Sequence, residues 1–155
     1  MLPVGTPAPD FELRSHQGGS VRLSSFHGRK HVVLAFHPLA FTPVCAAQMQ
    51  AYERERPRLD GLDAHVLAVS VDAGPSKKAW AESLGGVSYD LLSDFHPHGH
   101  VAAAYGVLRA DGLSERAIFL IDKAGVIRWA RRYDIPEHPN HDDLFTALEG
   151  LRRDS

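Results

Sequence analysis

Three largely apolar runs constrain the fold of this chain more than any other feature of its sequence. They are rich in β-branched residues and cover residues 32–36, 65–71 and 117–121. Runs of this length without regular polar alternation are typical of strands that are buried on both faces of a sheet. Both faces must then be covered, so the runs predict a central sheet with helices on either side.

Helical patterns fill the intervals between these runs. The predicted helices cover residues 43–59, 76–84, 99–105 and 141–151. A helix between the first two strands implies that these strands pair in parallel. The turn at residues 122–125 instead predicts an antiparallel hairpin of strands 117–121 and 126–130. We therefore predict an α/β fold, a thioredoxin-like sandwich with a mixed central sheet of about five strands flanked by helices.

Length and charge narrow the function classes. A chain of 155 residues is of ordinary size for one domain, so we expect residues 1–155 to form a single domain. The formal net charge of −2 predicts neither a nucleic-acid partner nor an anionic membrane surface. No apolar run near the N-terminus has the length of a membrane span or the flanks of a signal peptide. We expect a cytoplasmic protein that acts on small molecules.

The chain has one cysteine, Cys45, which cannot form an intramolecular disulfide. It is therefore either a buried apolar thiol or a reactive one. Thr42-Pro43 is a helix-start signal, because Thr can cap free amides and Pro is tolerated at the first helical position. Cys45 would then be the third residue of the helix, where the unpaired amides favour the thiolate. This placement favours a reactive cysteine.

The residues before Cys45 carry a more specific pattern. Pro38, Thr42 and Cys45 have the spacing Pro-x-x-x-Thr-x-x-Cys. This pattern resembles the peroxidatic motif of the peroxiredoxins, the AhpC/TSA family. Further segments resemble family segments in the same order: 4–13, 68–72, 92–99, 104–107 and 116–122. Within the family the chain most resembles the one-cysteine, AhpE-like branch. The resemblance rests on the segment Pro-Leu-Ala-Phe-Thr at residues 38–42, on Trp80 and on the lack of a second cysteine.

The resemblance implies a thiol-dependent peroxidase and a role for each residue of the motif. Cys45 would attack a peroxide as thiolate and become a sulfenic acid. Thr42 would accept a hydrogen bond from the peroxide, Pro38 would shield the sulfenate, and Arg116 would stabilise the thiolate and the separating oxygens. For Thr42 and Pro38, the local sequence is equally compatible with a helix cap and a turn residue.

The resemblance also implies the partners. The substrate would be hydrogen peroxide, an organic hydroperoxide or peroxynitrite, and no bound cofactor is expected. Without a second cysteine, an external low-molecular-weight thiol or a redoxin protein would have to reduce the sulfenate. A homodimer is expected from the family, and Phe41 and Trp80 are candidates for its interface, although both are equally compatible with a core position.

Two residues depart from the family pattern. Gln48 stands where many relatives carry a glutamate; its amide oxygen can still accept from an arginine, but it brings no charge, so Arg116 is expected to be held more loosely. His37 stands where an aromatic residue usually precedes the motif proline. His37 could tune the thiolate or pack as a polar residue of the loop, and we favour the packing interpretation.

Other readings of the sequence remain open. A thiol-disulfide oxidoreductase ordinarily needs a second cysteine, and Gln48 occupies that position here. A cysteine hydrolase has no local signature in the chain, and a peroxide-sensing redox module would use the same sulfenate as a signal. His96, His98 and His100 alternate as possible metal ligands, but we expect an exposed loop leading into a helix and no metal site.

Overall fold

The structure is a computed structural model that describes the backbone of residues 1–154 and the side chains of residues 1–152. The strands are β1 (Glu12–Ser15), β2 (Ser20–Arg22), β3 (His31–Phe36), β4 (Ala64–Ser70), β5 (Asp90–Ser93), β6 (Arg116–Ile121) and β7 (Ile127–Tyr133). Within the described residues these seven strands form one sheet in the order β2-β1-β5-β4-β3-β6-β7. The α-helices are α1 (Pro43–Arg54), α2 (Arg56–Gly61), α3 (Gly74–Ser83), α4 (His100–Ala104) and α5 (Asp142–Asp154), and Leu23–Phe26 form a short 3-10 helix.

The three apolar runs form the centre of this sheet. β3 pairs in parallel with β4 and antiparallel with β6, and every residue of β3 and β6 is buried. β6 and β7 form the antiparallel hairpin that the turn at residues 122–125 predicts. The mixed sheet confirms the predicted fold class, and the strands buried on both faces explain why their sequences do not alternate.

Both faces of the sheet are covered. Side chains of α1, α2, α3 and α5 pack on the face that carries Val33 and Ala35 of β3. The other face, with Val32, Leu34 and Phe36, packs against α4 and the N-terminal segment. None of the helices in residues 1–154 is both long and apolar enough to cross a membrane.

The structure differs from the predicted elements in two ways. The sheet has seven strands and not about five, because β1, β2 and β5 join the four strands that the sequence located; each of the three has only three or four residues, too few for a clear period. The predicted helix 43–59 is divided into α1 and α2, with Glu55 between them. Pro57 accounts for this break, because proline has no amide hydrogen and its ring collides with the carbonyl four residues earlier.

Candidate active site

Cys45 lies in the first turn of α1, as the helix-start signal predicts. Thr42 occupies the N-cap position with extended backbone (φ −113°, ψ 146°), and Pro43 is the first helical residue. The predicted capping bond is absent, and the Thr42 hydroxyl instead donates to the carbonyl oxygen of Leu39 at 2.8 Å. No side chain caps the first amides of α1, so the positive end of the helix stays available to an anion near Cys45.

The loop between β3 and α1 is anchored by a buried proline and a backbone hydrogen bond. Pro38 is buried, and the backbone amide of Ala40 donates to Oδ2 of Asp72 at 2.8 Å. Phe41 has a positive φ of 62°, a left-handed conformation that costs a non-glycine residue about 1 kcal/mol. Such strain persists only where surrounding contacts impose it, and it turns the chain into the start of α1.

Arg116 contacts the sulfur of Cys45 directly. Ala117 pairs with Phe36, the last residue of β3, so Arg116 lies beside the loop that precedes α1. Its Nη1 donates to Cys45 Sγ at 3.3 Å and to Gln48 Oε1 at 2.9 Å. Its Nε donates to the carbonyl oxygen of Ile135 at 3.0 Å.

Both members of this contact are buried. The exposed fraction is 0% for Cys45 and 1% for Arg116. In the described part of the chain no carboxylate pairs with Arg116. A buried cation without an anion is unfavourable, and Cys45 is the one group in contact with Arg116 that can carry a negative charge. Burial alone would fit an inert apolar thiol, but the adjacent guanidinium fits a reactive one.

Comparison with known proteins agrees with this arrangement. The sequence profile of the AhpC/TSA family matches residues 4–130 of the chain. The chain belongs to the AhpC/TSA family. It is 42% identical over 131 residues to alkyl hydroperoxide reductase E of Mycobacterium tuberculosis, which covers 84% of this chain and 85% of that protein. It is also 34% identical over 158 residues to a chloroplastic 2-cysteine peroxiredoxin of Chattonella marina, covering 96% and 80% of the two chains.

Solved structures show the same fold. The reduced 2-Cys peroxiredoxin of Plasmodium vivax superposes with a TM-score of 0.89 at 28% identity, over 97% of this chain and 82% of that one. The single cysteine is consistent with the one-cysteine branch of the AhpC/TSA family that the sequence indicates. This AhpC/TSA protein is therefore a thiol-dependent peroxidase, an oxidoreductase.

In this AhpC/TSA protein Gln48 accepts the hydrogen bond from Arg116 that its amide oxygen was expected to accept. Its oxygen accepts from Arg116 at 2.9 Å, and its nitrogen donates to the hydroxyl of Tyr52 at 3.1 Å. We expected Arg116 to be held loosely. Its guanidinium is instead oriented by two acceptors, the Gln48 side chain and the Ile135 carbonyl. A neutral Gln48 also leaves the charge of Arg116 uncompensated, which a glutamate would not.

Lys77 is a buried residue that no motif in the sequence indicates. This lysine of α3 has an exposed fraction of 0%, and its Nζ lies 2.7 Å from Nε2 of His37, which is equally buried. His37 is thus not an ordinary polar residue of a loop. The signal that could have identified Lys77 is its position three residues before Trp80, which places both on one face of α3.

The histidine stretch of this AhpC/TSA protein lies away from these contacts. His96, His98 and His100 are exposed, and α4 begins at His100, as the sequence predicts. His98 contacts the Gly112 carbonyl at 2.7 Å, whereas His100 lies 3.0 Å from Asp94. Among the residues that the structure describes, no group of three or more His, Cys, Asp or Glu side chains is arranged to hold a metal ion.

Proposed function

We propose that this protein reduces hydrogen peroxide, organic hydroperoxides or peroxynitrite at Cys45. The observation that carries the proposal is the 3.3 Å contact between the Arg116 guanidinium and the Cys45 sulfur. The thiolate attacks the terminal peroxide oxygen, and a sulfur–oxygen bond forms as the oxygen–oxygen bond breaks. The departing oxygen takes up a proton and leaves as water or an alcohol; from peroxynitrous acid the leaving group is nitrite, which needs no proton. Cys45 loses two electrons and becomes a sulfenic acid.

Arg116, Thr42 and Pro38 support this step in different ways. Arg116 stabilises the thiolate and then the negative charge that develops on the separating oxygens. Thr42 donates its only hydroxyl hydrogen to Leu39, so its lone pairs are free to accept the hydrogen of the peroxide. Pro38 is buried, lacks an amide hydrogen and shields the sulfenate from water.

An external thiol completes the cycle. Since the chain has no second cysteine, a low-molecular-weight thiol or a redoxin protein attacks the sulfenic acid, which releases water and leaves a mixed disulfide. A second thiol then releases Cys45 and forms the oxidised disulfide product. The two electrons that the peroxide accepted therefore come from two external thiols.

We further propose that residues 1–155 act as one domain, in the cytoplasm and as a homodimer. A catalytic thiol that outside thiols must regenerate is suited to a reducing compartment. Of the two candidate interface residues, Trp80 is a core residue with an exposed fraction of 1%. Phe41 is 58% exposed beside the catalytic loop, and an exposed aromatic residue at this position favours a protein interface.

Stopped-flow oxidation of the reduced protein tests the peroxidase proposal. We expect wild-type protein to react with hydrogen peroxide many times faster than free cysteine and to gain one oxygen, which added thiol removes. Mass spectrometry identifies the adduct. Cys45→Ser should consume no peroxide, because the sulfur is the nucleophile.

Two results would contradict the proposal. Undiminished peroxide consumption by Cys45→Ser would exclude Cys45 as the reacting group. Oxidation of the wild-type protein at the rate of free cysteine would exclude peroxidase catalysis. If that slow reaction were coupled to a peroxide-dependent change in a partner protein, the result would favour a redox sensor over an enzyme.

A further inference from the structure

Lys77 is the centre of a buried polar cluster contributed by three elements. Its Nζ contacts Nε2 of His37, which follows β3, at 2.7 Å. The same Nζ donates to Oγ of Ser70, the last residue of β4, at 2.8 Å. A fully buried lysine is rare, because a buried charge is unfavourable unless it is paired. No carboxylate contacts Lys77 among the described ion pairs, and Asp72 reaches it only through Ser70.

The hydrogen bonds of this cluster have a defined direction. Asp72 Oδ2 accepts from the Ala40 amide and from the Ser70 hydroxyl at 2.6 Å. Ser70 has no further hydrogen, so its oxygen accepts from Lys77. The ammonium form of Lys77 can only donate, so in that form it donates to Nε2 of His37, and the hydrogen of the neutral ring lies on Nδ1. The carboxylate of Asp72 therefore orients the Ser70 hydroxyl, and Ser70 in turn orients the ammonium of Lys77.

The direction of these bonds leaves one group of His37 unused. Nδ1 of His37 is buried and has no hydrogen-bond partner among the described residues. A buried donor without a partner is unfavourable, and this one belongs to the residue directly before Pro38. The ring of His37 also lies 5.2 Å from that of Trp80, which shares a core cluster with Cys45. The cluster is therefore joined to the loop that leads from β3 to Cys45, both through His37 and through the bond from the Ala40 amide to Asp72.

Electrostatics connect the cluster to Cys45. Burial lowers the pKa of Lys77 to about 7, whereas the charges of Asp72 and Cys45 raise it. Burial, Lys77 and Arg116 together hold the pKa of His37 well below its usual value, so this ring stays neutral. Coulombic coupling is mutual: if a thiolate at Cys45 favours the ammonium form of Lys77, the ammonium favours the thiolate to the same extent.

We propose that Lys77, held by His37 and Ser70, is a positioning residue that stabilises the Cys45 thiolate as a second buried cation beside Arg116. The role deepens the peroxidase function and rests on it. Lys77 contacts neutral His37, the charges of Asp72 and Cys45 act on it through space, and Arg116 contacts the same sulfur. The ammonium form supports the thiolate, and the support is lost when Lys77 gives up its proton above neutral pH.

Lys77→Met tests the proposal, with Lys78→Met as the matched control. Lys78 is the next residue of α3, but its side chain is exposed. We expect Lys77→Met to shift the pH midpoint of Cys45 ionisation upward by about one unit and to slow peroxide oxidation at pH 7 about tenfold. Lys78→Met should leave both unchanged. The midpoint is read from thiolate absorbance and from the alkylation rate with iodoacetamide.

The alkylation rate separates this proposal from the peroxidase function, because iodoacetamide reacts with the thiolate without any peroxide. An unchanged midpoint in folded Lys77→Met would overturn the role of Lys77 while peroxide consumption by the wild type continued. A wild-type protein that consumes no peroxide would instead overturn the proposed function and with it the catalytic use of Lys77.

A second measurement applies if Lys77→Met does not fold. The oxidation rate constant of the wild-type protein should rise with thiolate formation and fall again above neutral pH, as Lys77 loses its proton. Lys77→Arg, which keeps a charge that does not titrate, should lack the fall. A wild-type rate constant that stays level up to pH 9.5 would overturn the proposal.

Discussion

Arg116 and Cys45 form a charged pair only when the thiol is ionised. The guanidinium is buried, and its acceptors in the described structure are a sulfur, an amide oxygen and a backbone carbonyl. Only the sulfur can take a negative charge. The neutral Gln48 thus directs the electrostatic effect of Arg116 to Cys45, since a carboxylate at that position would compete for the same cation.

Replacing Arg116 by Met should lower the rate constant of peroxide oxidation about 10²-fold, because one donor to the developing negative charge is lost. Arg116→Lys should give an intermediate rate, since an ammonium keeps the charge but not the fork of donors. Stopped-flow fluorescence or competition with a second peroxidase measures the rate constants.

Arg132→Met is the matched control for this prediction. Arg132 is exposed on β7, and its backbone pairs with Ala117, next to Arg116. The control should react like the wild type. Equal losses in Arg116→Met and Arg132→Met would assign the effect to the net charge of the protein and not to the contact with Cys45.

Among the secondary-structure elements, helix α3 is unusual because it places a lysine in the core. Lys77, Trp80 and Ala81 form its buried face. A helix that only covers a sheet would carry an apolar residue at the position of Lys77. The packing of α3 therefore includes a group whose charge depends on pH, and the stability of the fold must depend on pH in the same range.

The free energy of unfolding should rise between pH 7 and about pH 10. The pKa of Lys77 is lowered by burial to about 7 in the folded protein, against 10.5 as its usual value. Between these values the unfolded chain binds a proton that the folded protein does not, so stability rises with pH, by at most about 1.4 kcal/mol per unit. Urea denaturation at pH 7, 8 and 9 measures the slope.

Other buried groups limit this range. Burial raises the pKa of Tyr52, Tyr89 and Tyr105, so stability should fall above pH 10, where the unfolded tyrosines ionise. Burial lowers the pKa of His31 and His37, so stability should also fall below about pH 6.5, where the unfolded histidines bind protons. Lys77→Met should lose the rise from pH 7 upward, and Lys78→Met should retain it; a rise in both would refute the assignment to Lys77.

The whole molecule places its reactive cysteine at one end of the sheet. Phe36 pairs with Ala117 at this end, and Val32 pairs with Ile121 at the other. Phe41 lies in the loop that follows β3, at the end where Cys45 and Arg116 meet. An interface formed there would border the active site, whereas one at the far end would not.

Phe41→Ser should weaken the proposed homodimer, because it removes an aromatic side chain that is exposed in the single chain. We expect the dissociation constant to rise at least about tenfold, as measured by sedimentation velocity over a range of protein concentrations. Val4→Ser is the control: Val4 is also 58% exposed, and the segment that follows it bridges to Val126 at the far end of the sheet. A monomeric wild-type protein would contradict the dimer.

Local patterns in the sequence were sufficient for the central strands and for the position of Cys45. An apolar run determines a buried strand, and Thr42-Pro43 determines a helix start, because both depend on the properties of a few consecutive residues. The strands β1, β2 and β5 were not predicted, since strands of three or four residues form only where a neighbouring strand pairs with them.

Contacts between distant residues were decided by the tertiary structure. Family resemblance, and not any local pattern, pointed to Arg116, which reaches Cys45 across 71 positions of the chain. Lys77 and His37 are 40 positions apart, and no rule of spacing relates them. The sequence by itself determined that Cys45 begins a helix after a buried strand. Only the order of strands in the sheet and the packing of α3 decided which cations surround it, because electrostatic environment depends on distance in space.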